Sequence, residues 1–199
     1  MRHLVTVSFF LLSTAPFFQA NSATSDHPNS QPPVVVKFLN LFDRLRAAQE
    51  THDHVSFQLS ETEINDYLRY SLKSTPRPGL DSVNIKFFAK DYLSTFTRVD
   101  FDAVEQMRPG TIPTVLRPLL KGKKAIWIDF RIHADGGRMT FTVEKARYED
   151  MALSSFFVEK MIGLMAARQP EKYDTSKPLP LPFGLNKVWT TEHNIHGNN

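Results

Sequence analysis

The sequence predicts an α+β fold in which a strongly curved antiparallel sheet is wrapped around one or two apolar helices. Three observations carry this. Ile126, Ile128, Phe130 and Ile132 alternate with Trp127, Asp129, Arg131 and His133, the period of a strand with one apolar face. Asp135-Gly136-Gly137 supplies the positive-φ positions of a tight turn, and Met139, Phe141 and Val143 form the returning apolar row. Phe157, Val158, Met161, Ile162 and Met165 then follow at helical spacing.

The N-terminal residues, MRHLVTVSFFLLSTAPFFQA, have the layout of an export signal: Arg2, then an apolar run from Leu4 to Leu12. That run is short of the roughly 20 residues a membrane span needs. The expected cut follows Ala20 or, as an alternative, Ala23. Residues 21–33 read as a polar linker and 34–197 as a single domain. The chain has no cysteine, which excludes disulfides, thiolate metal sites and a lipidated N-terminal cysteine. The expectation is therefore an exported protein of the periplasm or cell envelope that is not a lipoprotein. A formal charge of +3, with no basic stripe interleaved with aromatics, argues against nucleic acid. The local cluster Lys121, Lys123 and Lys124 reads as a solvated turn or as a point of transient contact with an anionic membrane surface.

Along the domain, Val35, Phe38, Leu41, Phe42 and Leu45 place an amphipathic helix over 34–49. Residues 54–59 alternate as a short strand. Ser60 and Glu63 form a capping box that opens a helix to about Leu72, with Ile64, Tyr67 and Leu68 facing inward. Strands are expected over 82–89 and 94–101 around a turn at Lys90-Asp91, followed by a short helix over 102–107. Ile112, Val115, Leu116, Leu119 and Leu120 have helical spacing, yet Pro118 interrupts them. A Pro-rich loop over 169–182 leads to one last alternating stretch, Leu185–Ile195.

Candidate chemistry is sparse. His52-Asp53-His54 would place two imidazoles on one strand face, and His193 and His196 are three apart, but no third metal ligand is nominated. Ser71, Ser154 and Ser155 lack the surroundings of a nucleophile elbow. Glu61/Glu63 and Glu149/Asp150 are explained by capping and by a turn. Asp129 and Arg131 read as an ion pair on the wet face. Asn65, beside the apolar stripe of its helix, reads either as a structural or head-group hydrogen-bonding residue or as a solvent-facing one. No catalytic residue, metal or cofactor is expected.

The phrase Phe57-Gln58-Leu59-Ser60-Glu61-Thr62-Glu63-Ile64-Asn65-Asp66-Tyr67-Leu68 resembles the strand-then-helix opening of YceB-like and related bacterial tubular lipid-binding (TULIP) domains. The later apolar hairpin, apolar helix and approach through Pro178, Pro180 and Pro182 to a final strand are similar to the rest of such a domain. The resemblance implies a TULIP-like half-barrel, a bent sheet around a long apolar helix, with a groove for lipid chains and no catalytic residues. The lack of cysteine departs from the lipoprotein anchoring usual in YceB-like members. The groove residues expected from the apolar rows are Ile126, Ile128, Phe130, Ile132, Met139, Phe141, Val143, Phe157, Met161 and Met165, with Met151 just before the helix. The leading expectation is a non-enzymatic protein that binds or shelters a lipid or other apolar ligand. The alternative is a structural or adaptor domain with a closed core that acts through protein partners. A third, a hydrolase, requires a polar pocket with converging ionisable groups.

Overall fold

The structure is a computed structural model that describes residues 31–77, 79–107, 109–110, 112, 114, 117–156, 158–159 and 177–199. Helix α1 (Pro33–Thr51) starts at a proline, whose fixed φ suits the first helical turn. It buries Val35, Phe38, Leu41, Leu45 and Ala48, and it ends where His52 turns left-handed and donates its backbone N–H to the Ala48 carbonyl at 2.9 Å. Strand β1 (Ser56–Ser60) runs without a loop into helix α2 (Glu61–Ser74). The expected capping box is present: the Glu63 N–H donates to Ser60 Oγ, and the Ser60 N–H donates to Glu63 Oε2. Lys37 of α1 pairs with the other oxygen of the same carboxylate.

Strands β2 (Leu80–Phe88) and β3 (Tyr92–Asp100) form a hairpin. Its turn residues Lys90 and Asp91 both have positive φ, the twist that joins antiparallel strands without splaying them. Helix α3 (Phe101–Met107) then leads across to β4 (Lys123–Asp135), which turns at Gly136-Gly137 into β5 (Arg138–Tyr148). Strands β6 (Met151–Leu153) and β7 (Leu179–Pro180) pair with opposite ends of β5. A 3-10 turn (Pro182–Gly184) precedes β8 (Lys187–Thr191) and β9 (Asn194–Asn198).

The β4–β5 hairpin is the spine of the sheet. One edge of β4 carries β3 over residues 123–131 and then meets β8 at Ala134↔Val188, so two wings leave it, β3–β2 and β8–β9–β1. The wings are tied together where they meet. Thr190 donates its N–H to Asp91 Oδ1 at 2.8 Å and its hydroxyl to the Phe88 carbonyl at 2.6 Å, and the His193 N–H reaches the Phe87 carbonyl at 3.1 Å. Helix α2 lies along the outer edge of β2, where Asn65 and Glu61 bond to its backbone.

The expected antiparallel sheet is present, but the picture of a sheet wrapped around a long apolar helix is overturned. The helices described over their full length are α1, α2 and the short α3, and residues 155–156 and 158–159 are also helical. Of these α1 is the longest, yet it exposes Lys37, Asp43, Arg44, Arg46 and Glu50, so only one of its faces can be buried. It packs against one part of the sheet and is not enclosed by it. No described helix is long and apolar enough to cross a membrane. The final alternating stretch is also corrected: residues 185–195 form the 3-10 turn's end and most of the β8–β9 hairpin, with a turn at Glu192-His193. His193 takes the left-handed conformation there without a glycine to signal it. Residues 117–120, within the stretch of helical spacing around Pro118, form turns.

Candidate functional site

The apolar rows of β4 and β5 share one face of the sheet, as their alternation predicts. Ile132 faces Phe141, Phe130 faces Val143, Ile128 faces Ala146 and Ile126 faces Tyr148. The last two pairings depend on a bulge. Asp129 pairs with Lys145 while the next residue, Phe130, pairs with Val143, so Glu144 is an extra residue on β5. Without that insertion, strict alternation from Val143 would turn Lys145 and Arg147 inward. With it, Ala146 and Tyr148 extend the apolar wall, an extension the sequence does not signal.

This inner wall divides into two halves. Phe130, Ile132, Ala134 and Met139 belong to the main core, sealed by Phe38, Leu41 and Leu45 of α1 and by Leu181, Phe183 and Leu185. The seal is aromatic at its centre: Phe38 stacks on Tyr67 at 4.2 Å, and Phe42 stacks on Phe183 at 5.5 Å. Phe141 packs against the same core and is half-buried. The four large side chains that α1 buries contribute on the order of 10 kcal/mol, comparable with the stability of a whole domain. No guest displaces α1 cheaply.

The second half is a separate cluster. Val143, Ala146 and Val158 are buried in it, with Ile128 and Leu153 packed alongside. Ile126 and Ile128 point inward yet are only half-buried. Thr95, opposite Ile128, donates its hydroxyl to the Ile128 carbonyl at 3.1 Å, so its polar atom is satisfied and this part of the wall stays apolar. Of the expected groove residues, Phe157, Met161 and Met165 lie outside the described residues. Ala146, Leu153 and Val158 were not expected in the groove. Val158 did fall in the helical apolar pattern, whereas Ala146 depends on the bulge.

The outer face of the same strands is polar and aromatic. Arg147 lies 4.3 Å from the centre of the Trp127 ring, and Phe96 packs on the other side of that indole at 5.1 Å. The expected Asp129–Arg131 pair is not formed: Arg131 Nε reaches Glu144 Oε1 at 3.2 Å, because the bulge aims Glu144 outward. Burial, and then a hydrogen bond to Asp129, push the Tyr92 hydroxyl above its ordinary range. An open hollow of about 490 Å³ lies here among Trp127, Asp129, Glu144, Lys145 and Arg147. Two carboxylates balance two cations around it, so it has no preference for a charge of one sign.

The remaining candidates are dispersed. His52 caps α1, ahead of the first strand, so it does not share a strand face with His54. His54 Nδ1 lies 3.0 Å from the Asn199 carbonyl oxygen. His193 sits in the β8–β9 turn beside Glu61, and His196 stacks on Trp189. Among the described residues, no group of three His, Cys, Asp or Glu side chains is placed to hold a metal. Asn65 is buried, and both of its amide atoms bond to Ile85, which selects the structural reading for that residue. Lys123 is engaged by Asp81 at 2.8 Å, while Lys121 and Lys124 have no carboxylate of the described residues within ion-pair distance. Comparison with family models, with curated proteins and with solved structures returns no match to this chain.

Proposed function

We propose that this chain is a non-enzymatic binding protein of the cell envelope. It shelters a lipid or other apolar ligand on the inner face of β4 and β5, at the half of the wall away from α1. The carrying observation is the division of that face. One half is filled by the chain's own helix and aromatics, whereas Ile126 and Ile128 face inward without being fully covered. Binding there rests on desolvation, at about 0.8 kcal/mol for each methylene buried, so an acyl chain gains most of its affinity without polar contacts. The lipid-binding resemblance of residues 57–68 and the signal-like N-terminus support the same reading.

Native mass spectrometry of the protein purified without detergent tests it, together with analysis of an organic extract. The expected result is an adduct with the mass of a lipid that extraction removes. A protein that carries no adduct, and whose melting temperature ignores added fatty acid and phospholipid, contradicts the reading. That outcome would favour the closed-core domain that acts through protein partners.

A further inference from the structure

The face of the sheet opposite the apolar wall carries a feature of its own, the open hollow of about 490 Å³ beside the β5 bulge. The bulge shapes it. Val143 and Ala146 are buried, and the two residues between them, Glu144 and Lys145, are both exposed, where strict alternation would turn Lys145 inward. Bulges that re-aim side chains in this way recur beside active sites. Two cross-strand rows border the hollow. Ser94, Asp129 and Lys145 stand opposite one another on β3, β4 and β5, and Trp127, Arg147 and Ala152 do so on β4, β5 and β6. Ala152, small beside the long Arg147 side chain, leaves the second row low at that end.

The bonding capacity of this wall sets its ligand. Glu144 is paired with Arg131, and Asp129 accepts from the Tyr92 hydroxyl, yet a carboxylate has about four acceptor positions, so both keep some for a guest. Lys145 and Arg147 have no carboxylate partner among the described residues. The Arg147 guanidinium, stacked 4.3 Å from the Trp127 ring centre, keeps its N–H donors in the plane of its fork. Lys86, across Ser94 from Asp129, is a further exposed cation outside the wall. An anion seated here would face Asp129 and Glu144, and a cation would face Lys145 and Arg147. The signs also alternate: Lys145 stands opposite Asp129 and next to Glu144, so the wall has no separate poles for a zwitterion. A neutral ligand rich in hydroxyls escapes these conflicts, because each hydroxyl donates to a carboxylate and accepts from an ammonium or guanidinium at once. The part of the Trp127 indole left at the surface, fixed between Arg147 and Phe96, adds a rigid apolar edge for the C–H groups of such a ligand.

The geometry points to this hollow as a binding site for a neutral saccharide, one unit of a glycan whose hydroxyls lie among Asp129, Glu144, Lys145 and Arg147 and whose C–H groups meet Trp127. The site is on the face of the sheet opposite the apolar wall, so it goes beyond the lipid reading and does not depend on it.

A glycan array probed with the epitope-tagged full chain tests it, with neutral, sialylated, sulfated and phosphorylated glycans side by side. The expected result is retention on one or more neutral glycans. The free oligosaccharide of a retained glycan, titrated into the Trp189→Phe protein, should then change the emission of Trp127, the one indole left in that chain, along a saturating curve. Asp129→Asn and Arg147→Ala should each weaken the binding roughly tenfold while the melting temperature stays in place. Lys145→Ala, at an exposed side chain, gives the same readout should either of them fail to fold. No retention on any neutral glycan, retention on charged glycans alone, or unchanged affinity in the folded variants overturns the site.

Discussion

The side-chain amide of Asn65 stands in for a strand. Its Nδ2 donates to the Ile85 carbonyl at 2.8 Å, and its Oδ1 accepts the Ile85 N–H at 2.8 Å, so both backbone groups at that position of the β2 edge are satisfied from a helix. Two residues on, Glu61 Oε2 accepts the Phe87 N–H at 3.0 Å, and the His193 N–H supplies the Phe87 carbonyl. The edge of β2 that would otherwise template another chain is closed over this stretch by α2 and the β8–β9 turn.

Replacing Asn65 by alanine or leucine leaves a buried N–H and a buried carbonyl without partners. The expected cost is about 2–4 kcal/mol, read as a lower urea midpoint. Asn65→Asp is informative because a carboxylate can accept the Ile85 N–H but cannot donate to its carbonyl. Protonation restores a donor, so the gap from wild type should narrow as the pH falls. A pH-independent gap would argue against the two-way bond.

Gly197 offers a second test of the sheet's closure. It pairs with Phe57 on β1 and Val188 on β8, and a Cβ placed there would lie 2.6 Å from two atoms of the Phe57 ring. Gly197→Ala should cost roughly 1–3 kcal/mol by overpacking. Because the obstacle is a side chain, Phe57→Leu in the same protein should return part of that loss. A double-mutant cycle measures it, and simple additivity of the two changes would show that the ring is not the cause.

Two carboxylates give the stability a defined acid limb. Burial alone pushes the Glu63 carboxyl up, but the Lys37 ammonium and the Ser60 backbone and hydroxyl outweigh it and hold the group below its ordinary value. The N–H groups of Gly110 and Ile112, then Arg117, do the same for the half-buried Glu105. A depressed folded-state value means stability that is present above the ordinary carboxylate range and lost as the pH falls through the folded value. Denaturant midpoints measured from pH 7 to pH 3 should fall, and Glu63→Gln with Glu105→Gln should flatten that decline. Equal slopes for the variant and wild type would show that other groups control the limb.

The capping box gives a smaller, local prediction. Ser60→Ala removes the acceptor for the Glu63 N–H and should cost about 1 kcal/mol, while Ser60→Asp should be nearly neutral. Thermal melts of the two variants distinguish these outcomes.

Ser60 and Glu63 show what was legible in the sequence, because their bonding is set by residues three apart. So does the Lys90-Asp91 turn, fixed by the strands on either side of it. The apolar wall from Ile126 to Val143 was legible for the same reason, since alternation is a local property. What was not legible depends on distant partners. The Glu144 bulge decides that Ala146 and Tyr148 face inward and that Arg131 pairs with Glu144, yet nothing near residue 144 announces an extra residue. Asn65 could not be assigned before the β2 edge was placed beside α2. A sheet wrapped around a long apolar helix is not what the described residues form: α1 is amphipathic and covers one half of the inner face, and most of the apolar stretch from 157 to 165 lies outside the described residues.

The central claim is that a guest occupies the half of the inner wall that α1 does not fill. Methyl-resolved NMR of the full chain, titrated with a nitroxide-labelled fatty acid, tests it directly. The account predicts broadening of the Ile126, Ile128, Val143 and Ala146 methyl signals, while those of Leu41, Leu45 and Leu59 stay sharp. Undisturbed signals at Ile126 and Ile128 under saturating label, or broadening confined to surface methyls such as Leu39, would contradict it.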